Sequence, residues 1–259
     1  MFGVYYRELE GTAYLLAHTI WRLGVLRLPP VMEELVRQLY FTGASATGGI
    51  VLRGAFIGTL IIAYVIEVLN ADAALAVKML LWVVLREVGP LIAAVLVIQR
   101  SGTAVATELA LKEISGEVAS LRRMRIAPED YLVVPRVVGM ALSLAALTLY
   151  VQLIAVGGGM VLSSILINVP LNEMLEHFFQ LASPLDLVYS LAKSLLFGAA
   201  IAVVACYHGL NPGGRSINAV PRATIRAVTE GLLLVMLLNV VFAYLVYGTA
   251  LFGLVTAEQ

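Results

Sequence analysis

The sequence predicts an all-α integral membrane protein. Hydrophobic residues make up 61% of the 259-residue chain and charged residues 13%, with a mean hydropathy of +0.94. Soluble domains sit nearer roughly half apolar and a quarter charged. The apolar residues fall in long continuous runs, whereas barrel strands alternate in short segments, so helices rather than a barrel satisfy the backbone. Of the connections between those runs, one set carries Lys and Arg and the other carries none, as in a chain threaded back and forth across a bilayer.

Residues 1–42 are amphipathic. Phe2, Tyr5, Leu9, Leu15, Ile20 and Trp21 are interspersed with Arg7, Glu8, His18 and Arg22, and no uncharged stretch is long enough to cross about 30 Å of hydrocarbon. This pattern predicts helices lying in the interface, with Trp21 and the tyrosines at headgroup depth; a helical cap packed on the rest is the alternative. Pro29-Pro30 breaks the segment, and Val31–Phe41 forms a second short helix. The first predicted span, 49–69, is rich in small residues such as Gly54, Ala55 and Gly58, which let helix backbones approach closely in lipid. Arg53 near its start can snorkel to headgroups. After a tight turn at 70–74, the second span is 75–98.

A polar helix over 107–125 precedes the third span, 133–156, which ends at Gly157-Gly158-Gly159. The apolar piece 160–169 either continues that span or forms an outer-face helix. Residues 172–183 are amphipathic, the fourth span is 185–207 and the fifth 227–247. Segments 99–132 (Arg100, Lys112, Arg122, Arg123, Arg125) and 208–226 (Arg215, Arg222, Arg226) are basic, whereas 70–74, 157–184 and the tail after Tyr247 hold neither Lys nor Arg. The positive-inside rule then puts the N-terminus in the cytoplasm and the C-terminus outside.

Several function classes are set aside. A net charge of zero argues against a general nucleic-acid binder. The single cysteine, Cys206, excludes an internal disulfide. No cleavable signal pattern opens the sequence, so Met1 is expected to begin the mature chain. Gly213-Gly214-Arg215 lacks the Lys-Ser/Thr of a phosphate loop. Glu173, Glu176 and His177 lack the second histidine of a zinc helix. Cys206 and His208 flank Tyr207 with no oxyanion donors in evidence. The chain is therefore expected to hold no catalytic site, no metal and no cofactor of its own.

Polar groups at membrane depth remain. Arg86 and Glu87 fall inside the second span beside Pro90, where an unpaired charge costs several kcal/mol. They either wall a cavity that receives polar headgroups or form a buried ion pair that locks the bundle. Lys193 and Asp186 in the fourth span invite the same two readings. The helix 107–125 carries Leu109, Ile114, Val118, Leu121 and Met124 at helical spacing, which suits either an ordinary connector or a helix that inserts into a partner's groove. With no motor domain in the chain, the docking role is preferred, with Thr107, Glu108, Lys112, Glu117, Leu121 and Arg122 as its candidate residues.

The ordered segments Arg86-Glu87-Val88-Gly89-Pro90-Leu91, Arg100-Ser101-Gly102-Thr103-Ala104, Tyr131-Leu132-Val133-Val134-Pro135-Arg136, Lys193-Ser194-Leu195-Leu196-Phe197-Gly198 and Arg222-Ala223-Thr224-Ile225-Arg226 resemble the Mla/YrbE-type (MlaE) permease family, the membrane subunits of ABC systems that move lipids. The resemblance implies a single permease domain over 1–259, a homodimer of five-span subunits, and two copies of a separate cytoplasmic ATPase that binds the ATP and Mg. It also implies an MCE-type partner on the outer side of a bacterial inner membrane. A lipid cavity is implied at Ile57, Leu60, Ile61, Tyr64, Leu234, Leu237, Leu238 and Val241, with Arg86 and Glu87 near it. Asn239 stands where relatives often carry an acid, and Pro221 where a glycine is usual. The rival class is an ion-coupled carrier using Arg86, Glu87 and Lys193. A lipid-modifying enzyme lacks its catalytic set, and a membrane scaffold would show no nucleotide-dependent change.

Overall fold

The computed structural model describes residues 2–43, 81–167 and 170–257, with isolated positions between 48 and 78. Every element among them is helical: α1 (Phe2–Trp21), α2 (Pro29–Gln38), α3 (Leu81–Ile114), α4 (Glu117–Arg123), α5 (Val134–Ile167), α6 (Leu171–Leu181), α7 (Pro184–Leu210) and α8 (Ala219–Ala257). Among the described residues, four stretches are long and apolar enough to cross a membrane: Leu81–Ile114, Glu129–Val161, Pro184–Leu210 and Ala219–Leu245. The chain is a multi-pass helical membrane protein. Most of the expected first span, and the start of the second, lie outside the described residues.

Local chemistry sets the boundaries. Pro29 and Pro30 open α2 from an extended Leu28, since proline's fixed φ suits a first helical turn. Ser183 caps α7, its side chain accepting from the Leu185 N–H at 3.3 Å ahead of Pro184.

The polar helix expected over 107–125 is instead two pieces. Its first half is the end of α3, which runs unbroken through Gln99–Ala104 by way of wide i→i+5 turns at Ile98–Gly102. Gly116 then takes φ +82°, where only glycine escapes a Cβ penalty, and its N–H bonds the Glu113 carbonyl at 3.2 Å. α4 closes on Arg125 at φ +60°, with the Ile126 N–H reaching back to the Leu121 carbonyl at 3.0 Å.

The third apolar stretch outruns its predicted end. α5 passes through Gly157-Gly158-Gly159 to Ile167, so the apolar piece after Gly159 continues it. Glycine weakens a helix through backbone entropy and by exposing backbone to water, and hydrocarbon removes the second cost because it supplies no water to compete. α8 likewise extends beyond 227–247 at both ends.

α7 is the centre of the bundle, packed on α3, α5 and α8. Phe197, Ile201, Val203 and Cys206 are buried along it. At Gly198 an added Cβ would lie 2.6 Å from the Ala141 Cα, and at Gly209 it would lie 2.7 Å from the Leu109 Cβ. These close approaches join α7 to α5 and α3 by backbone packing rather than by large side chains. The apolar windows of α5 and α7 are each 56% buried, but that of α8 only 11%. Leu233, Met236, Leu237, Val240, Val241 and Tyr244 make an exposed stripe along α8, a face that lipid tolerates and water would not.

Candidate functional site

Pro90 accounts for the first polar cluster. Proline has no N–H, so carbonyls in the preceding turn lose a helical donor. α3 opens in wide turns over Leu81–Val88, and two side chains from other helices fill the deficit. Gln152 of α5 donates from Nε2 to the Leu85 carbonyl at 2.9 Å, and Lys193 of α7 donates from Nζ to the Arg86 carbonyl at 3.1 Å. No water is at hand in hydrocarbon to do this.

The charges then pair across helices. Lys193 Nζ meets Glu87 Oε2 at 2.8 Å, and Arg86 donates from Nε at 2.8 Å and from Nη2 to Asp186 Oδ1. Adjacent residues on a helix diverge, whereas Asp186 and Lys193, two turns apart, share a face of α7. The local Arg86–Glu87 pair that their adjacency suggested is replaced by two inter-helix pairs, which sum to zero charge. Lys193 is fully enclosed, Asp186 keeps 14% of its side-chain surface, and Arg86 and Glu87 keep 26% and 27%. Aromatic rings flank the cations: Trp82 lies 5.8 Å from Arg86, and Tyr189 and Phe197 lie 5.8 and 5.9 Å from Lys193. Gln152 continues the network to Ser190 Oγ at 2.6 Å, and Ser194 Oγ lies 3.0 Å from Thr148 Oγ1.

A second cluster sits at the other end of α3, about 30 Å away at 1.5 Å per residue. Arg136, wholly buried, donates from Nη2 to Glu108 at 2.8 Å and Glu34 at 3.0 Å, and from Nη1 to the Leu132 carbonyl at 2.8 Å. Arg37 pairs with Glu34 at 2.7 Å and Lys112 with Glu108 at 2.9 Å. The hydrogen bond to Glu34 raises the Arg37 pKa, against the lowering effect of burial. The network ties α2, α3 and α5 together beside a cavity of about 340 Å³ lined by Arg37, Thr42, Arg100, Ser101 and Glu108 among others. At the same end Asp130 holds α1 through His18 and Arg22, each at 2.8 Å. His208 pairs with Glu230 at 2.7 Å, away from the Cys206 thiol considered from sequence.

The expected cavity residues that are described differ in exposure. Ile57 and Ile61 lie outside the described residues, while Leu60 and Tyr64 are exposed. Leu237 and Val241 belong to the exposed stripe of α8, and Leu238 packs on the core. Leu234 lines an apolar groove of about 460 Å³ with Leu16 and Trp21 of α1 and Val203 of α7. Of the docking candidates, Thr107 bonds Thr224 at 2.9 Å, Glu108 and Lys112 belong to the Arg136 network, and Leu121 packs against the core. Glu117 and Arg122 are exposed, together with Arg123 and Met124 beyond them. Sequence reasoning did not single out Glu34, Gln152 or Glu230, and it assigned Arg136 no role of its own.

Comparison with known proteins decides the family. A family model described as Permease MlaE matches residues 35–245. The chain belongs to the MlaE permease family. A probable ABC transporter permease protein of Rickettsia conorii is 27% identical over 219 residues, covering 83% of this chain and 84% of that one. A probable ABC transporter permease protein of Synechocystis is 33% identical over 62% of this chain and 61% of its own length. The Arabidopsis thaliana chloroplastic protein TRIGALACTOSYLDIACYLGLYCEROL 1 is 29% identical over 77% of this MlaE-family chain and 57% of its own length.

Proposed function

We propose that this chain is the permease subunit of an ABC transporter that moves phospholipid or a related lipid, driven by a separate ATPase. The observation that carries the reading is the charge quartet Arg86–Asp186 and Lys193–Glu87, set within apolar helices yet reachable at Arg86 and Glu87. Intramembrane charges of this kind mark polar substrates as well as holding bundles together. The name of the Arabidopsis relative contains a diacylglycerol lipid, which supports a lipid substrate.

In this reading five spans cross a bacterial inner membrane, with α1 and α2 in the cytoplasmic interface, the N-terminus inside and the C-terminus outside. Two such subunits form a homodimer, bind two ATPases that carry ATP and Mg, and hand lipid to or from an MCE-type protein outside. Lipid tails occupy the apolar cavity of Ile57, Leu60, Ile61, Tyr64, Leu234, Leu237, Leu238 and Val241, and the headgroup meets Arg86. The ATPase docks on the exposed face of α4. Its movement passes into α3 through Lys112 and Glu108, and the Arg136 network links that helix to α2 and α5.

The test is lipid transfer by the reconstituted complex. Arg86→Ala with Glu87→Ala is expected to lower ATP-driven transfer by at least ten-fold while ATPase binding persists; unchanged transfer sinks the headgroup role. Arg122→Glu with Arg123→Glu is expected to release the ATPase in a pull-down. Both arginines are exposed, so this pair probes docking without disturbing the packing that Leu121 provides. The ion-coupled alternative, favoured by the buried Lys193–Glu87 pair, requires transport that persists without any ATPase.

A further inference from the structure

We infer that the cavity between α2 and α3 binds a phosphate group, carried by a lipid headgroup or by a soluble phosphate. The site is separate from the quartet and goes beyond the transport reading, since no step of lipid transfer is assigned to it. The cavity, about 340 Å³, lies beside the Arg136 network at the other end of α3. Three polar side chains that line it are more than nine-tenths buried: Thr42 keeps 1% of its surface, Gln38 6% and Ser101 6%. Among the described residues, none of the three side chains makes a hydrogen bond. Buried polar groups are nearly always satisfied. Two hydroxyls and an amide left open on one cavity call for a ligand that bonds them.

The charge of the lining decides what that ligand is. Water fills a polar cavity whatever its charge, but this one is cationic. Arg37, Lys112 and Arg136 share the carboxylates of Glu34 and Glu108, three cations to two anions, and Arg100 brings a further guanidinium to the lining. Glu108 also lines the cavity, but its carboxylate already accepts from Arg136 at 2.8 Å and Lys112 at 2.9 Å. Arg37 reaches both carboxylates through Nη2 alone among the described residues. Its Nε and Nη1 donors can therefore bond an anion without breaking either pair. A phosphate group accepts from guanidinium, hydroxyl and amide donors together, and its bonds to the charged ones are the strong kind. The depth fits as well. α3 is apolar over 91–98 and turns polar at Gln99-Arg100-Ser101, the level at which a membrane helix meets headgroups. Basic pockets between helices at that level hold lipid phosphates.

The experiment uses the full chain in mild detergent, washed until no phospholipid phosphorus is detected. Its thermal unfolding midpoint is followed against dihexanoyl phosphatidic acid, inorganic phosphate and dihexanoylglycerol, which is the same lipid without the phosphate. Phosphatidic acid is expected to raise the midpoint saturably, and dihexanoylglycerol to leave it unchanged. Thr42→Val with Ser101→Ala is expected to weaken phosphatidic acid binding at least ten-fold. The midpoint of the unliganded variant should hold or rise, because neither hydroxyl is bonded within the protein. An equal effect of inorganic phosphate supports the site and assigns a soluble source, whereas an effect of the lipid alone supports it and assigns the leaflet. Binding that the double variant leaves intact, stabilisation by dihexanoylglycerol to the same degree, or no saturable effect of either phosphate overturns the inference. Should the double variant fail to fold, Gln38→Met, which removes the buried amide, is expected to weaken binding in the same titration; unchanged affinity there overturns the inference equally.

Discussion

Lys193→Met tests the account of the broken helix most directly. The wild-type ammonium is fully buried, 2.8 Å from Glu87 and 3.1 Å from the Arg86 carbonyl. Removing one partner of a buried ion pair costs about 3–5 kcal/mol. Glu87 keeps 27% of its side-chain surface, so the lower end, about 3 kcal/mol, applies. The stranded carbonyl adds about 1 kcal/mol or more, because Pro90 offers no N–H to replace the lost donor. Pro90→Ala restores an N–H to that turn. Lys193→Met should therefore cost about 1 kcal/mol less in a Pro90→Ala background than in wild type, a coupling that a double-mutant cycle isolates. Equilibrium unfolding in mixed micelles titrated with SDS, followed by far-ultraviolet circular dichroism, gives the four free energies. Strict additivity, or a Lys193→Met loss below about 1 kcal/mol, would refute the reasoning that the lysine repairs proline's missing bond.

Three further outcomes follow from backbone geometry. Gly198→Ala places a Cβ 2.6 Å from the Ala141 Cα and should destabilise the α5–α7 contact by about 1–3 kcal/mol. Gly157→Ala, whose Cβ meets nothing within 4 Å, should change stability little in the same unfolding titration. Arg125→Gly relieves a left-handed residue at the end of α4 and should slow amide exchange across Glu117–Arg123, by about 1 kcal/mol of local stability. Faster exchange there would contradict the strain.

The sequence made the helical class legible because lipid leaves an unusually direct record. A helix surrounded by hydrocarbon must be apolar along most of its length, and the predicted stretches 133–156, 185–207 and 227–247 each fall inside a long observed helix. Arg86 and Glu87 were conspicuous for the same reason, since charge is rare where it is expensive. Their partners were not legible. Asp186 and Lys193 lie about a hundred positions away, and only the packing of α7 against α3 decides which carboxylate meets which cation. The division at Gly116 was written in the sequence as a glycine, but the apolar spacing on both sides masked it. Arg136 stood at the start of an apolar run where snorkelling was equally available; the placement of Glu34 on α2 and Glu108 on α3 encloses it.

Composition and periodicity, acting over a few turns at a time, thus determined that this chain is a set of apolar helices interrupted by a few costly charges. The tertiary structure decided how those charges are satisfied. Pairing in a medium without water depends on which helices approach within hydrogen-bond distance, and that follows from close contacts such as Gly198 on Ala141, which no local pattern encodes.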